Sequence, residues 1–505
     1  MIVLERYDQL DLGEYHRIVR EHEPLELAAG LQRHVEDRRR AMERFLAGGA
    51  SAYGVTTGLG YLAARSIAAD DRLALQRSIV VGRAVAVGAP LPEEVVRGAL
   101  LLRLTGFLSG HAGVTPELCR FIADRLNDGW YPLVPASRPG TAGETIALCH
   151  LFQTFIGEGE VLVAGDRVPA AAALARLGVA PCELQLKEGL ALINGAPLAP
   201  ALAAELAHRS EQLLEHATLF GALAAALVGA PGRPYSPRIG RLKGDAGQQR
   251  VHARLAELSG GEWSDDGPQA PVSLRVLPQV HGAAHDQLDH VLAQLARELR
   301  AVTDSPLYLA AEGDEPEGFY PSGNFHSQAL SLALDAVAIA LTQVAALAEK
   351  RLHRLLDSRF SGLPEQLSAH PDRGHCGLVA LHKAVVGLSA ENRLLAAPAS
   401  VHAGDTSSGQ EDFQAFTALA ADKLGRLLDN LELALAYELV ALRQARELSA
   451  AELSPALAAV VGTAASALEP VPCDRSLAPD VERARRLVRS GELNAAARRK
   501  AAGRS

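Results

Sequence analysis

Five short segments of the chain carry side chains able to do chemistry on a small molecule. Tyr53-Gly54-Val55-Thr56-Thr57-Gly58-Leu59-Gly60 alternates glycine with small polar residues, so its backbone can turn tightly and approach a ligand. Its tyrosine would be a base only where neighbours lower a phenol pKa that is normally ~10. Ile193-Asn194-Gly195 offers a neutral amide donor, and the arginine of Gln269-Ala270-Pro271-Val272-Ser273-Leu274-Arg275 offers a fork that grips a carboxylate through two charge-assisted bonds. Ser322-Gly323-Asn324-Phe325-His326 and Gly409-Gln410-Glu411-Asp412 add an aromatic ring and a carboxylate. Taken singly, each has an ordinary explanation: a glycine turn, an arginine bonded to backbone carbonyls, a solvated carboxylate at a helix start. Their order and wide spacing together are specific.

Bulk properties favour a small-molecule partner. Fifty Lys+Arg against fifty-nine Asp+Glu give a formal charge of -9, and no long basic block invites nucleic acid. The five cysteines, Cys119, Cys149, Cys182, Cys376 and Cys473, show no C-x-x-C spacing, which argues against a disulfide framework and against a metal site. Glu5 and Asp8 interrupt the N-terminus too early for a secretory signal, and the apolar runs read as shorter than the ~18 residues of a membrane span. A cytoplasmic protein without membrane contact is expected.

The five segments resemble the histidine, phenylalanine and tyrosine ammonia-lyase and aminomutase family, whose corresponding patterns read YGVNTGFG, LALINGT, QDPYSLR, SGGNFHG and GQEDH. The resemblance runs from about Tyr53 to Arg483. It implies a mainly α-helical homotetramer with a central helix bundle and active sites built from three subunits. It further implies that Tyr53 is the catalytic base, that Asn194 and Arg275 hold an amino-acid carboxylate, and that Glu411 lies near the substrate amine as a second catalytic group. Gln269, Phe325 and Gln410 match residues lining that pocket.

One feature of the family pattern is broken. Family members carry Ala-Ser-Gly-Asp before Leu-x-His, and the first three residues cyclise and lose water to form methylidene-imidazolone. Here the loop reads Gly140-Thr141-Ala142-Gly143-Glu144, followed by Leu148-Cys149-His150. Making the exocyclic methylene requires loss of a β-hydroxyl, and Ala142 has none; the Thr141 hydroxyl is on the wrong residue of the ring. The expectation is therefore a degenerate cofactor loop and no cofactor. Other matching positions also depart: Thr56 and Ser78 replace asparagines, Val272 a tyrosine, Phe413 a histidine, and Arg83 the histidine of histidine-specific members. Arg83 either offers a fixed cation to an anionic group at the far end of a substrate, or bridges to an acid or to solvent.

The scaffold that must position these residues reads as helical. Aromatic residues are 4% of the chain, and helical periodicity is expected over about 281–302, 326–357, 377–393 and 410–447. Glycine and proline clusters mark loops at 54–60, 132–143, 229–240, 259–271 and 312–323, and the last residues, ARRKAAGRS, read as a loose basic tail. The chain divides approximately into 1–200, with the tyrosine and degenerate loops, and 201–505, with the long helices. Three functional readings stay open: acid/base elimination or addition on an amino-acid-like substrate without the cofactor, a catalytically inactive homologue that binds or regulates, and a conventional ammonia-lyase or 2,3-aminomutase.

Overall fold

A computed structural model describes residues 1–261 and 269–502. Alanine and leucine lose little side-chain freedom in a helix, and the longest helices are built largely from them. These are Leu198–Leu227, Leu277–Glu298, Gln328–Leu356 and Thr417–Leu448. Among the described residues three two-stranded sheets accompany the helices: Ile2–Leu4 parallel to Leu25–Leu27, and the antiparallel pairs Glu160–Val163 with Asp166–Pro169 and Leu307–Leu309 with Gly318–Tyr320.

The chain forms two compact units. The first comprises Met1–Glu205, Leu292–Leu332 and Ala399–Ala421, and the second comprises Leu206–Val291, Ala333–Pro398 and Asp422–Ser505. Each unit is thus assembled from three segments and the chain passes between them five times, where the sequence reading placed one break near residue 200.

In the first unit helix Glu93–Leu108 is buried on nearly all sides. Its Arg97 is accommodated because the guanidinium donates to the carbonyls of Ile18, Val19 and Leu126. Burying that cation unpaired would be costly, so the three carbonyls fix the ends of neighbouring segments around it. In the second unit Arg351 and Glu438 form a bidentate pair at 2.8 and 2.9 Å, both fully buried. Two nearly parallel bonds specify the relative rotation of helices Gln328–Leu356 and Thr417–Leu448 there.

Several expected boundaries shift. The helix expected over 410–447 begins at Thr417, because the chain before it turns with positive φ at Ser407, Ser408 and Phe416 and bridges Thr406 to Glu411. The helix expected over 281–302 runs instead from Leu277 to Glu298. The loop at 312–323 contains strand Gly318–Tyr320, and the loop at 229–240 runs into helix Pro237–Lys243. The expected loose tail is helical through Ala502, since Leu493 and Ala497 are buried and Arg498 pairs with Glu215. Part of the loop expected at 259–271, residues 262–268, and the final residues 503–505 lie outside the described residues. The expectation that no apolar segment reaches spanning length is also corrected: the stretch Glu188–Leu227, made of helices Glu188–Ile193 and Leu198–Leu227, and helix Gln328–Leu356 are long and apolar enough by composition. Their most apolar windows are 83% and 67% buried within the protein, as core helices are.

Candidate active site

The tyrosine turn is held by its own backbone. Val55, Thr56 and Thr57 all donate to the carbonyl of Ala52, and the Thr56 hydroxyl accepts from the Ala52 amide at 2.8 Å. The threonine that replaces a family asparagine is thereby spent on the turn itself. Gly54 sits at φ +66°, and a β-carbon there would lie 2.7 Å from Leu190 Cδ2, so both backbone conformation and packing require glycine. The Tyr53 phenol oxygen accepts from the Gly60 amide at 2.8 Å.

A buried glutamine joins this turn to the asparagine segment. Gln76, on helix Arg72–Val81, donates through Nε2 to the Gly54 carbonyl at 3.0 Å and accepts through Oε1 from the Leu190 amide at 3.1 Å. The backbones are so close that a β-carbon on Gly189 would lie 2.1 Å from the Gln76 carbonyl oxygen. Tyr53 and helix Glu188–Ile193 are therefore one rigid piece, and Asn194 caps the end of that helix.

Asn194 connects in turn to segment 302–305. Its Nδ2 donates to the Ser305 carbonyl, while its Oδ1 accepts from the Gly195 amide at 2.8 Å. One of its two amide hydrogens remains for another acceptor. Ser305 Oγ accepts from the Ser322 amide at 3.0 Å, the Ser322 hydroxyl donates to the Asp304 carbonyl at 2.9 Å, and Asn324 donates to the Val302 carbonyl at 3.1 Å. The segment carrying Phe325 is thus fixed against the segment that holds Asn194.

The degenerate loop closes the constellation. The Ala142 amide donates to Glu411 Oε2 at 2.8 Å, and the Ser407 hydroxyl donates to Glu411 Oε1 at 2.9 Å. Thr141 turns its hydroxyl onto the Gly143 carbonyl. A β-carbon on Gly143 would lie 3.6 Å from the Gly195 carbonyl oxygen and 3.7 Å from Phe325 Cβ, so loop, asparagine segment and phenylalanine segment converge. Thr141, Ala142, Glu144, Phe325, Ser327 and Phe416 line one cavity. Loss of a β-hydroxyl is impossible at its Ala142, so the residues present do not fit the family's cyclised group.

Sequence reasoning gave no chemical role to two buried ionisable residues, Glu144 of this loop and Arg103 beside Gly195. Glu144 accepts from the Leu198 and Ala199 amides at 2.6 Å each, capping helix Leu198–Leu227. Burial pushes its pKa up to about 7, against the opposing pull of those amides and of Arg103. Burial also lowers Arg103 to about 10, and its Nε and Nη2 have no hydrogen-bond partner among the described residues. Its terminal nitrogens lie 2.8 and 2.9 Å from where a Gly195 β-carbon would be. Nearby, Lys187 and Asp304 form a fully buried ion pair at 2.6 Å. No motif spacing announces Arg103, Lys187 or Asp304, and the burial of Glu144 is likewise set by tertiary neighbours.

The remaining expected site residues have contacts of their own. Arg83, at the end of helix Arg72–Val81, donates to the Ile79 carbonyl at 3.4 Å. Its charge also lies near enough to Cys149 to oppose the upward push of burial on that thiol. Ser78 spends its hydroxyl on the Leu75 carbonyl. Gln410 is exposed in the turn before Glu411, and Phe413, also exposed, stacks on His326 with ring centroids 5.8 Å apart. Arg275 and Gln269 belong to the second unit, where Arg275 Nε donates to the Ala270 carbonyl at 2.9 Å and Gln269 is exposed.

Comparison with known proteins agrees with this architecture. The family model for aromatic amino acid lyase matches residues 10–466. A histidine ammonia-lyase of Symbiobacterium thermophilum is 37% identical, covering 98% of each chain. The solved tyrosine aminomutase from Streptomyces globisporus superposes with a TM-score of 0.92 at 29% identity, over 99% of this chain and 98% of that one. The histidine ammonia-lyase from Trypanosoma cruzi gives a TM-score of 0.90 at 27% identity, over 99% and 96%. The chain belongs to the aromatic amino acid lyase family and is a carbon–nitrogen lyase of that mainly helical scaffold.

Proposed function

We propose that this ammonia-lyase relative acts on an amino acid or amino-acid-like substrate by acid/base elimination or addition, without methylidene-imidazolone. The observation that carries the reading is Ala142, anchored to Glu411 inside the Tyr53–Asn194–Phe325 constellation. The scaffold keeps a place for a substrate while the residue that would supply the electrophile cannot do so.

In the elimination direction Tyr53 takes a proton from the carbon next to the one bearing nitrogen. The C–H electron pair becomes the new double bond, and the C–N pair departs with the amine, which takes up a proton. Without the electrophile, a positioned base contributes only ~10²–10⁴ in rate. The substrate must therefore carry a more acidic proton, or a better leaving group, than histidine or phenylalanine. Asn194 holds one end of the substrate, Glu411 supports the loop, and Glu144, which lines the cavity, is the acid that returns a proton to the amine. A cytoplasmic homotetramer whose sites combine several subunits belongs to the same proposal, supported by the family resemblance and by exposed apolar side chains such as Leu332 and Ile339.

The test is a screen of amino acids, their thioesters and conjugates for elimination by the purified protein, repeated with Tyr53→Phe. Turnover falling at least about 100-fold in the variant is expected; unchanged turnover of the same substrate would sink the assignment of the base. A conventional ammonia-lyase is the second reading, favoured by the 37% identity to a histidine ammonia-lyase. It requires an electrophile, and the mass of the intact chain separates the two.

A further inference from the structure

In the second unit, two helices bring together three side chains of metal-ligand type, independent of the site described above. Helix Gln328–Leu356 carries Glu349 and His353, four residues apart and so on one face. Helix Val379–Leu395 carries His382. One donor atom from each of the three lies within 4.8 Å of the other two. His382 Nε2 is 2.7 Å from Glu349 Oε1, and the two imidazoles stack with centroids 4.6 Å apart and planes inclined by 16°. The carboxylate is buried, 3% exposed, while both imidazoles are partly exposed.

We propose that Glu349, His353 and His382 form a binding site for a divalent metal ion of the zinc class, with water completing the coordination. Two imidazoles and one carboxylate are a ligand set that zinc takes with a fourth, solvent-filled position. Bond lengths of about 2.0–2.2 Å put tetrahedral ligand atoms roughly 3.3 Å apart. The widest separation therefore has to close by roughly 1.5 Å, within reach of imidazole rotation, while the contact between Glu349 and His382 opens slightly. A buried carboxylate offsets part of the ion's charge, where exposed acids would leave it to solvent.

The opposing charges are also in place. Lys350 Nζ lies 2.9 Å from Glu349 Oε2, and Arg354 is on the same helix beside His353. The Lys350 side chain is 53% exposed, so its ammonium can move into water when the cation takes the carboxylate. Arg354 is engaged with the Phe360 ring, its guanidinium carbon 4.2 Å from the centroid. The expectation of no metal rested on cysteine spacing; this set is assembled by packing between helices, and no single stretch of sequence displays it.

The experiment titrates zinc sulfate into the full, chelator-stripped protein by calorimetry and records X-ray absorption at the zinc edge. One equivalent per chain is expected, with only nitrogen and oxygen neighbours. His353→Ala and His382→Ala should each weaken binding by at least about 100-fold, and the double variant Cys376→Ser, Cys473→Ser should bind as the parent does. No uptake by the parent protein, a sulfur-containing shell, or undiminished affinity in well-folded histidine variants would overturn the proposal. Should an alanine variant fail to fold, His353→Gln and the absorption spectrum of the parent still decide it.

Discussion

Glu411 accepts a hydrogen bond from the backbone amide of Ala142, 2.8 Å from nitrogen to Oε2. A carboxylate expected near a substrate amine is thus also the support of the loop in which the family's cofactor would arise. Its other oxygen is occupied by the Ser407 hydroxyl, so both the loop and the 406–411 turn depend on one side chain.

Removing that support should loosen the loop before it unfolds the protein. Glu411→Ala is expected to cost about 1–2 kcal/mol, because a charge-assisted bond is lost at a site water can partly reach. Hydrogen exchange checks it: the Ala142 amide should lose protection in Glu411→Ala and keep more of it in Glu411→Gln. Equal protection in all three proteins would mean that the contact does not hold the loop.

Gln76 should matter more for stability than its lack of chemistry suggests. Gln76→Leu leaves the Gly54 carbonyl and the Leu190 amide without their buried partner, at about 1–3 kcal/mol for each. A loss of about 2–5 kcal/mol in denaturant unfolding is expected, with turnover reduced through misplacement of Tyr53. Stability within 0.5 kcal/mol of the parent, a bound of about the size seen for neutral surface changes, would show that the turn and helix Glu188–Ile193 are held by something else.

Glu144 gives a pH dependence of definite sign. Its folded pKa, about 7, lies above the ordinary carboxylate range, so the folded state binds the proton more tightly than the unfolded chain. The contribution to stability is complete below the unfolded value near ~4.3 and is lost as pH rises through about 7. Glu144→Gln should therefore flatten the fall in stability across that window, measured as unfolding free energy against pH. An identical slope in parent and variant would remove Glu144 as its source.

The sequence exposed the outline of this site unevenly, for physical reasons. Glycine turns and helical periodicity are local, so the Tyr53 turn and the helix Gln328–Leu356 were legible to within a few residues. The start of helix Thr417–Leu448 was not, because strain at Ser407, Ser408 and Phe416 is set by contacts such as that between Thr406 and Glu411. Arg103 and the pair Lys187–Asp304 were invisible, and the burial of Glu144 with them, for a related reason: a buried charge is defined by neighbours far away in sequence. Arg83 was open in the sequence between a substrate contact and a local one, and its guanidinium donates to the Ile79 carbonyl at 3.4 Å.

The central claim is that Ala142 leaves the chain unable to make its family's electrophile, and the intact mass of the purified protein tests it most directly. A mass equal to that of the unmodified sequence is predicted, in a preparation that turns over its substrate. A deficit of two water molecules located to Thr141-Ala142-Gly143 would contradict it.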